Sequence, residues 1–299
     1  MSDAAQKLTC NIRTRLVSIG IITILTLSIY SARHSQEARR TIYTSRMVRG
    51  TQVSGSDTNP MVTLYQLGRA PHSPSLTPFA IKLETYLRVA NIPYKNDHSG
   101  KSSSKGKFPW ISYNGKKIAD SEFCIEFLNK ERNIDLNNHL SAEQRGAGRA
   151  LQKMVEENTY WTVVLDRWVY DKTNGAPTAL GVPKILRWLF RSRIKTAAKK
   201  QGMGRHTQDE VEQILRSDIN AVSDYIGTKK FLFGDAVSQY DCAVFGMMAA
   251  MFYEPFGGIA RGVITDFPVV RGYCDRMKAE FWPDWEECTT GGGTRQATK

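Results

Sequence analysis

The run Gly106-Lys-Phe-Pro-Trp-Ile-Ser-Tyr-Asn-Gly-Lys-Lys-Ile-Ala-Asp-Ser-Glu-Phe-Cys-Ile-Glu-Phe-Leu128 holds a strand, a tight Asn114-Gly115 hairpin, a second strand and a helix whose first turn is capped by Asp120 or Ser121. Pro109 stands where the first of these strands begins. A proline there donates nothing to the ladder, so it lies at an edge or follows a cis bond that turns the chain.

Upstream, Met61 to Leu67 is a β-rich run, and Pro71, Pro74 and Pro78 mark a loop after it. The spacing predicts a helix from Pro78 to about Ala90, with Thr77 as N-cap, proline at the first helical position and Phe79, Leu83, Tyr86 and Leu87 on one face. Ile92-Pro-Tyr-Lys95 follows as a second strand. The order β-α-β-β-β-α is that of a thioredoxin-like domain, in which the helix dipole and unpaired N–H groups at the head of the first helix stabilise a reactive thiolate. Here that position reads Leu76-Thr77-Pro78-Phe79-Ala80, without a cysteine. A threonine hydroxyl has no pKa near neutrality, so thiol exchange is excluded there.

The 106–128 run resembles the Gly-Lys-Val-Pro-x-Leu and Glu-Ser-x-Ala-Ile element of glutathione transferases. The resemblance implies a cis proline, a backbone before it that pairs with the cysteinyl part of glutathione, and an acid-serine pair at the γ-glutamyl end. On this chain those positions are Lys107, Phe108, Pro109, Asp120 and Ser121. It also offers Thr77 and Tyr65 as hydroxyls that stabilise a bound thiolate. The structural alternatives are that Thr77, Asp120 and Ser121 only cap helices and that Tyr65 is a strand residue.

From Ser141 the chain turns helical, with apolar positions at Leu151, Met154, Val155 and Trp161 and a long helix running on through Trp168 and Tyr170. Ser238 and Asp241 stand at capping-box spacing after Phe231-Leu-Phe-Gly-Asp235, and closely resemble the structural folding box of the transferase helical domain. Between these, Pro183 to Lys200 spells a basic helix in which Ile185, Leu186, Leu189, Phe190 and Ile194 recur near helical spacing beside Trp188. Such a helix either lies on a membrane over 184–200 or packs on its own domain. Thr207 to Glu210 caps a further helix through Ile214 and Ile219.

The formal charge is +12, but it is uneven: residues 1–59 hold eight Lys or Arg against three acids, and 172–208 hold nine with no acid. Leu16 to Ala32 is free of charge between Arg15 and Arg33. As a helix its length is about 26 Å, enough for a thin bilayer. A signal peptide is the alternative, for which Ile29-Tyr30-Ser31-Ala32 is a poor cleavage site. This pattern points to membrane lipid and away from nucleic acid. The richer carboxyl-side arginine flank places the body in the cytosol, as a single-pass membrane protein. The five cysteines, scattered without Cys-x-x-Cys pairs or neighbouring histidines, predict reduced thiols and no metal.

The expected organisation is therefore a short segment 1–15, a transmembrane anchor 16–32, a linker 33–59, a thioredoxin-like domain 60–135, a helical domain 141–287 and a disordered tail 288–299. In fold class this is an α/β thioredoxin-like domain plus an all-α glutathione-transferase carboxyl-terminal-like domain, preceded by one transmembrane helix. Pro74 to Thr85, Lys153 to Thr162 and Phe281-Trp-Pro-Asp-Trp285 together resemble the failed axon connections family, which joins such a domain to a metaxin-like helical one. Ala80 departs from the cysteine that many members carry. The resemblance implies a cytosolic or membrane-associated glutathione-transferase-like protein; together with the anchor and the missing cysteine it leads to the expectation of a membrane-tethered, non-catalytic adaptor with an unidentified protein partner. A glutathione transferase and a metaxin-like import or sorting component are the alternatives, and a homodimer is left open.

Overall fold

A computed structural model describes residues 61–254 and 256–290; the expected anchor 16–32 and linker 33–59 lie outside them. Strand β1 (Val62–Tyr65) runs into helix α1 (Pro78–Val89), which returns the chain to β2 (Tyr94–Asp97), parallel to β1. The antiparallel strands β3 (Trp110–Tyr113) and β4 (Lys116–Ala119) complete a four-stranded sheet of order β2-β1-β3-β4, and α2 (Ser121–Arg132) packs on it. This is a thioredoxin-type sheet. The Phe108–Pro109 peptide is cis, and Asn114 and Gly115 take φ of 49° and 76°, the left-handed pair that a two-residue hairpin demands.

Strand β2 starts two residues later than its apolar run suggests. The Ile92 amide is used to close α1, donating to Leu87 O at 2.9 Å, while Asn91 turns the chain at φ 50° and Pro93 has no N–H to give.

Past the sheet, α3 (Ala142–Lys153), capped by Ser141 and Gln144, runs through a π turn (Met154–Thr159) into α4 (Tyr160–Leu165) and a second π turn (Asp166–Tyr170). The single long helix expected here is thus widened twice, as happens where side chains are turned toward a site. There follow α5 (Gly175–Ala179), α6 (Lys184–Gln201), α7 (Gln208–Ile226), α8 (Gln239–Tyr253), α9 (Gly258–Thr265) and α10 (Pro268–Phe281). Helix α8 forms the axis of this helical core and is buried from Cys242 to Met251. It touches α1 closely because Gly246 has no side chain: a Cβ there would stand 2.6 Å from Pro78 O. Among the described residues no single helix is long and apolar enough to cross a membrane.

Helix α1 is enclosed on all sides. Leu83, Tyr86 and Leu87 face the sheet while Ile81 joins the helical core, so its polar residues Lys82, Glu84 and Arg88 are buried as well. Glu84 accepts from Gln66 Nε2 and Arg69 Nη1 at 2.7 Å, from Arg69 Nη2 at 2.8 Å and from the Tyr94 hydroxyl at 3.0 Å. Burial alone would raise its pKa, but Arg69 and these donors hold it at about 2. Arg88 pairs with Asp284 and stacks 3.8 Å from the Trp282 ring centre, and Trp282 Nε1 donates to Thr85 Oγ1 at 3.0 Å. These contacts fasten the carboxyl end to α1. The tail expected to loosen at 288 is still packed there: Cys288 and Thr289 are buried, and Thr290 N donates to Ala70 O at 2.9 Å.

Ser238 and Asp241 form the expected box at the head of α8. Asp241 Oδ2 accepts from Ser238 N at 2.8 Å and Ser238 Oγ at 2.6 Å, and Oδ1 accepts from Leu232 N at 2.9 Å and Tyr273 OH at 3.1 Å. Replacing a buried acceptor of four donors orphans several of them at once. Asp241→Ala should cost about 3 kcal/mol in urea unfolding, and Asp241→Asn, which keeps one acceptor oxygen, less; a loss under about 1 kcal/mol for the alanine variant would show that the box does not hold α8.

Candidate functional site

A cleft of about 400 Å³ opens between the head of α1, the loop before cis-Pro109, the head of α2 and the first π turn of the helical domain. Thr77, Lys107, Phe108, Pro109, Asp120 and Ser121 all line it. Tyr65 does not. Val62 and Leu64 of β1 point into the core, so alternation turns Tyr65 to the other side. There its ring stacks flat on Trp110, its partner across the antiparallel pair, with centroids 3.7 Å apart.

Thr77 caps α1, its Oγ1 accepting from Ala80 N at 3.1 Å, and no acceptor among the described residues takes its hydroxyl proton. Asp120 caps α2, accepting from Glu122 N at 3.0 Å, and does so at φ 88°, a backbone region that non-glycine residues rarely occupy. Strain of this kind persists where its surroundings enforce it, and it clusters at ligand clamps. Ser121 lines the cleft at this turn, and the positive end of the α2 dipole beside it suits a carboxylate.

Behind the cleft wall, bonded to its lining residues Glu122 and Glu156, lies a buried cluster that sequence reasoning missed. The Lys82 ammonium, 1% exposed, bridges Glu122 at the head of α2 and Glu156 in the π turn, the latter at 2.6 Å. Gln152 Nε2 donates to Glu122 at 2.5 Å and to Glu156 at 3.1 Å, and Lys153 pairs with Glu156 at 3.2 Å. Burial pushes the Glu122 carboxyl up, but Lys82 outweighs it and holds this group below the usual carboxylate range. The only sequence signal was a lysine inside an otherwise apolar helical face. Tyr160 and Trp161 form the far wall, and Lys105 and Lys107 stand at the rim near the cis proline.

A smaller apolar hollow of about 160 Å³ adjoins the cleft, sharing Leu67, Thr77 and Tyr160 with it and continuing between Val163, Val164, Trp168 and Leu180. No thiol among the described residues reaches either space: Cys124, Cys242, Cys274 and Cys288 are free and buried, and burial pushes the Cys124 thiol up to about 12. Among the described residues no three His, Cys, Asp or Glu side chains are placed to hold a metal.

With one wall from a thioredoxin-type sheet and the other from a helical domain, the architecture is that of the glutathione-transferase-like proteins. Residues 78–174 match the Glutathione S-transferase N-terminal domain family, and residues 215–277 the Glutathione S-transferase C-terminal domain family. The glutathione S-transferase of Ceriporiopsis subvermispora, solved in complex with glutathione, superposes with a TM-score of 0.51 at 16% identity, covering 75% of this chain and 99% of its own. The chain belongs to the glutathione-transferase-like, metaxin-related family that includes Failed axon connections. It is 31% identical to Failed axon connections of Drosophila melanogaster over 77% of its length, spanning 60% of that protein. It is 28% identical to the isoprene-epoxide–glutathione S-transferase of a Rhodococcus strain over 74% of this chain and 99% of that one. Metaxin-2 of Mus musculus matches at 19% identity over 69% of this chain and 82% of its own.

Lys82→Met removes the buried cation from two largely buried carboxylates, leaving only the half-exposed Arg149 and Lys153 beside them, and should cost about 3 kcal/mol at pH 7. The Glu122 pKa is depressed in the folded protein, so the stability it confers exists above the unfolded value of 4.5 and is lost as pH falls through the folded one. The gap between wild type and Lys82→Met should therefore narrow as urea unfolding is repeated below pH 4.5; a gap that stays constant would mean that the ion pairs do not stabilise this cluster.

Proposed function

We propose that the protein is a membrane-tethered glutathione-binding member of its family that uses the transferase cleft for recognition and not for turnover. The observation that carries this reading is that Lys107, Phe108, cis-Pro109, Asp120 and Ser121 converge on one cleft whose chemical position is filled by a threonine that already serves as a helix cap. The groups present suit the tripeptide end to end. Asp120 meets the γ-glutamyl ammonium, Ser121 and the head of α2 take its carboxylate, the backbone at Phe108 pairs with the cysteinyl amide, and Lys105 and Lys107 attract the glycyl carboxylate. A hydroxyl that does not ionise near neutrality orients the thiol without activating it. The apolar run 16–32 supplies the tether, with the body on the cytosolic side.

A second reading, glutathione transfer to a small electrophile, is favoured by the uncommitted Thr77 proton, by the apolar hollow beside it, and by the similarity to an enzyme named for isoprene epoxide over nearly that enzyme's whole length. In that case Thr77 donates to the sulfur and the electrophile occupies the hollow.

Calorimetric titration of the full-length protein in detergent decides the first point. Glutathione should bind with a Kd of about 1 mM or tighter, and absence of heat at higher concentrations would overturn both readings. Asp120→Asn keeps a good N-cap and removes the charge, so it should leave the melting temperature within about 2 °C of wild type and weaken glutathione about tenfold; unchanged affinity would reduce Asp120 to a cap. Product formation with small epoxides, lost in Thr77→Val, would favour turnover over recognition.

A further inference from the structure

Helix α6 stands apart from every other long helix of the fold. Of its 18 residues only Ala198 is fully buried. The sequence spaces its apolar residues roughly at helical intervals, and the structure divides them between two faces. Leu186, Phe190 and Ile194 are half-buried against the body, Phe190 stacking on Trp168 with centroids 6.4 Å apart. Arg191 secures this inner side through hydrogen bonds of 3.3 Å to the carbonyls of Trp168 and Asp171. Ile185, Trp188 and Leu189 point the other way, at 85%, 71% and 37% exposure, and they are three of the five large apolar side chains so exposed among the described residues.

Spacings of three and four residues extend that outer stripe from Ile185, Trp188 and Leu189 through Ser192 and Lys195 to Thr196 and Lys199, all exposed. The stripe therefore begins apolar and ends basic. At its basic end Thr196, Lys199, Lys200 and Arg205 line a shallow hollow of about 600 Å³, with Arg205 held there by a 3.3 Å hydrogen bond from its Nε to Lys199 O. No carboxylate among the described residues pairs with Lys195, Lys199 or Lys200, and no acid occurs anywhere from 172 to 208.

We propose that the outer face of α6 docks on an anionic lipid bilayer, with Ile185, Trp188 and Leu189 in the acyl–headgroup boundary and the lysines and Arg205 on headgroup phosphates. Tryptophan beside aliphatic residues suits the interface, where one side of the ring is apolar and the other wet. A nucleic acid offers phosphates but nothing to cover Ile185 and Leu189, so the bilayer fits both ends of the stripe. This docking is separate from the cleft and does not depend on glutathione.

The test uses the full-length protein reconstituted in vesicles, with Ile185→Cys carrying an environment-sensitive fluorophore in a Cys10→Ser background; the four described thiols are buried. On vesicles containing phosphatidylserine the emission should shift to the blue and be quenched by a nitroxide on the lipid tails. On phosphatidylcholine alone it should not. Lys199→Ala with Lys200→Ala should lower the docked-to-free ratio about 25-fold, near fivefold for each lysine, and Trp188→Ser about tenfold. All three residues are exposed, so the fold should survive, as circular dichroism would report. A label that stays in water on both lipids, or is quenched equally on both, overturns the proposal. So does protection that grows with the protein-to-lipid ratio, which marks a second copy, or a shift produced by RNA in detergent and absent with vesicles.

Discussion

One buried ammonium group, Lys82 Nζ, links the two halves of this protein directly behind the wall of their shared cleft. It sits on α1 of the sheet domain, reaches Glu122 at the head of α2, and crosses to Glu156 in the π turn of the helical domain. Desolvating one ammonium and two carboxylates is unfavourable unless their geometry compensates. The compensation comes from Gln152 and Lys153, which donate to the same two carboxylates. The cleft walls therefore depend on one another: Lys82 ties the π turn to the sheet domain, and Gln152 Nε2 ties the head of α2 to the helical domain. On the far side of α1, Glu84 and Arg88 perform the same service for β1, β2 and the carboxyl end.

This arrangement is the basis of the proposed reading, in which the cleft keeps binding groups and offers little chemistry. Strain at Asp120 and the cis peptide before Pro109 fix two backbone segments facing each other, and charged rims of opposite sign flank them. The head of α1, where a thiolate would gain most from the helix dipole, holds Thr77 as a cap. Recognition rests on backbone and caps, which the fold needs in any case; reactivity rests on one side chain, which it does not.

The features legible in the sequence are the local ones. Asn114-Gly115, the Thr77-Pro78 helix start and the Ser238–Asp241 box each encode their geometry within four residues, and each is found where expected. Glu84 and Arg88 were not legible, because polar residues four apart ordinarily mark a solvated face, and Lys82 stands alone on the opposite, apolar side. Tertiary packing encloses them: α8 closes on Lys82 through Gly246, while Arg69, Tyr94 and the carboxyl-terminal Trp282 and Asp284 cover Glu84 and Arg88. Strand alternation turns Tyr65 away from the core, but its stacking on Trp110 depends on a cross-strand register that β1 alone does not encode. Helix α6 misled in the opposite sense, since a mixed apolar and basic wheel does not say which of its apolar residues face inward.

The central claim is that the two domains build one glutathione-holding cleft around the Lys82 bridge. Backbone hydrogen exchange of the full-length protein, with and without glutathione, tests it most directly. Added glutathione should slow exchange together at the heads of α1 and α2, at the loop before Pro109 and in the π turn from Met154 to Thr159, and Lys82→Met should uncouple the two domains' responses. Protection confined to one domain, or no change at any of these segments, would contradict the account.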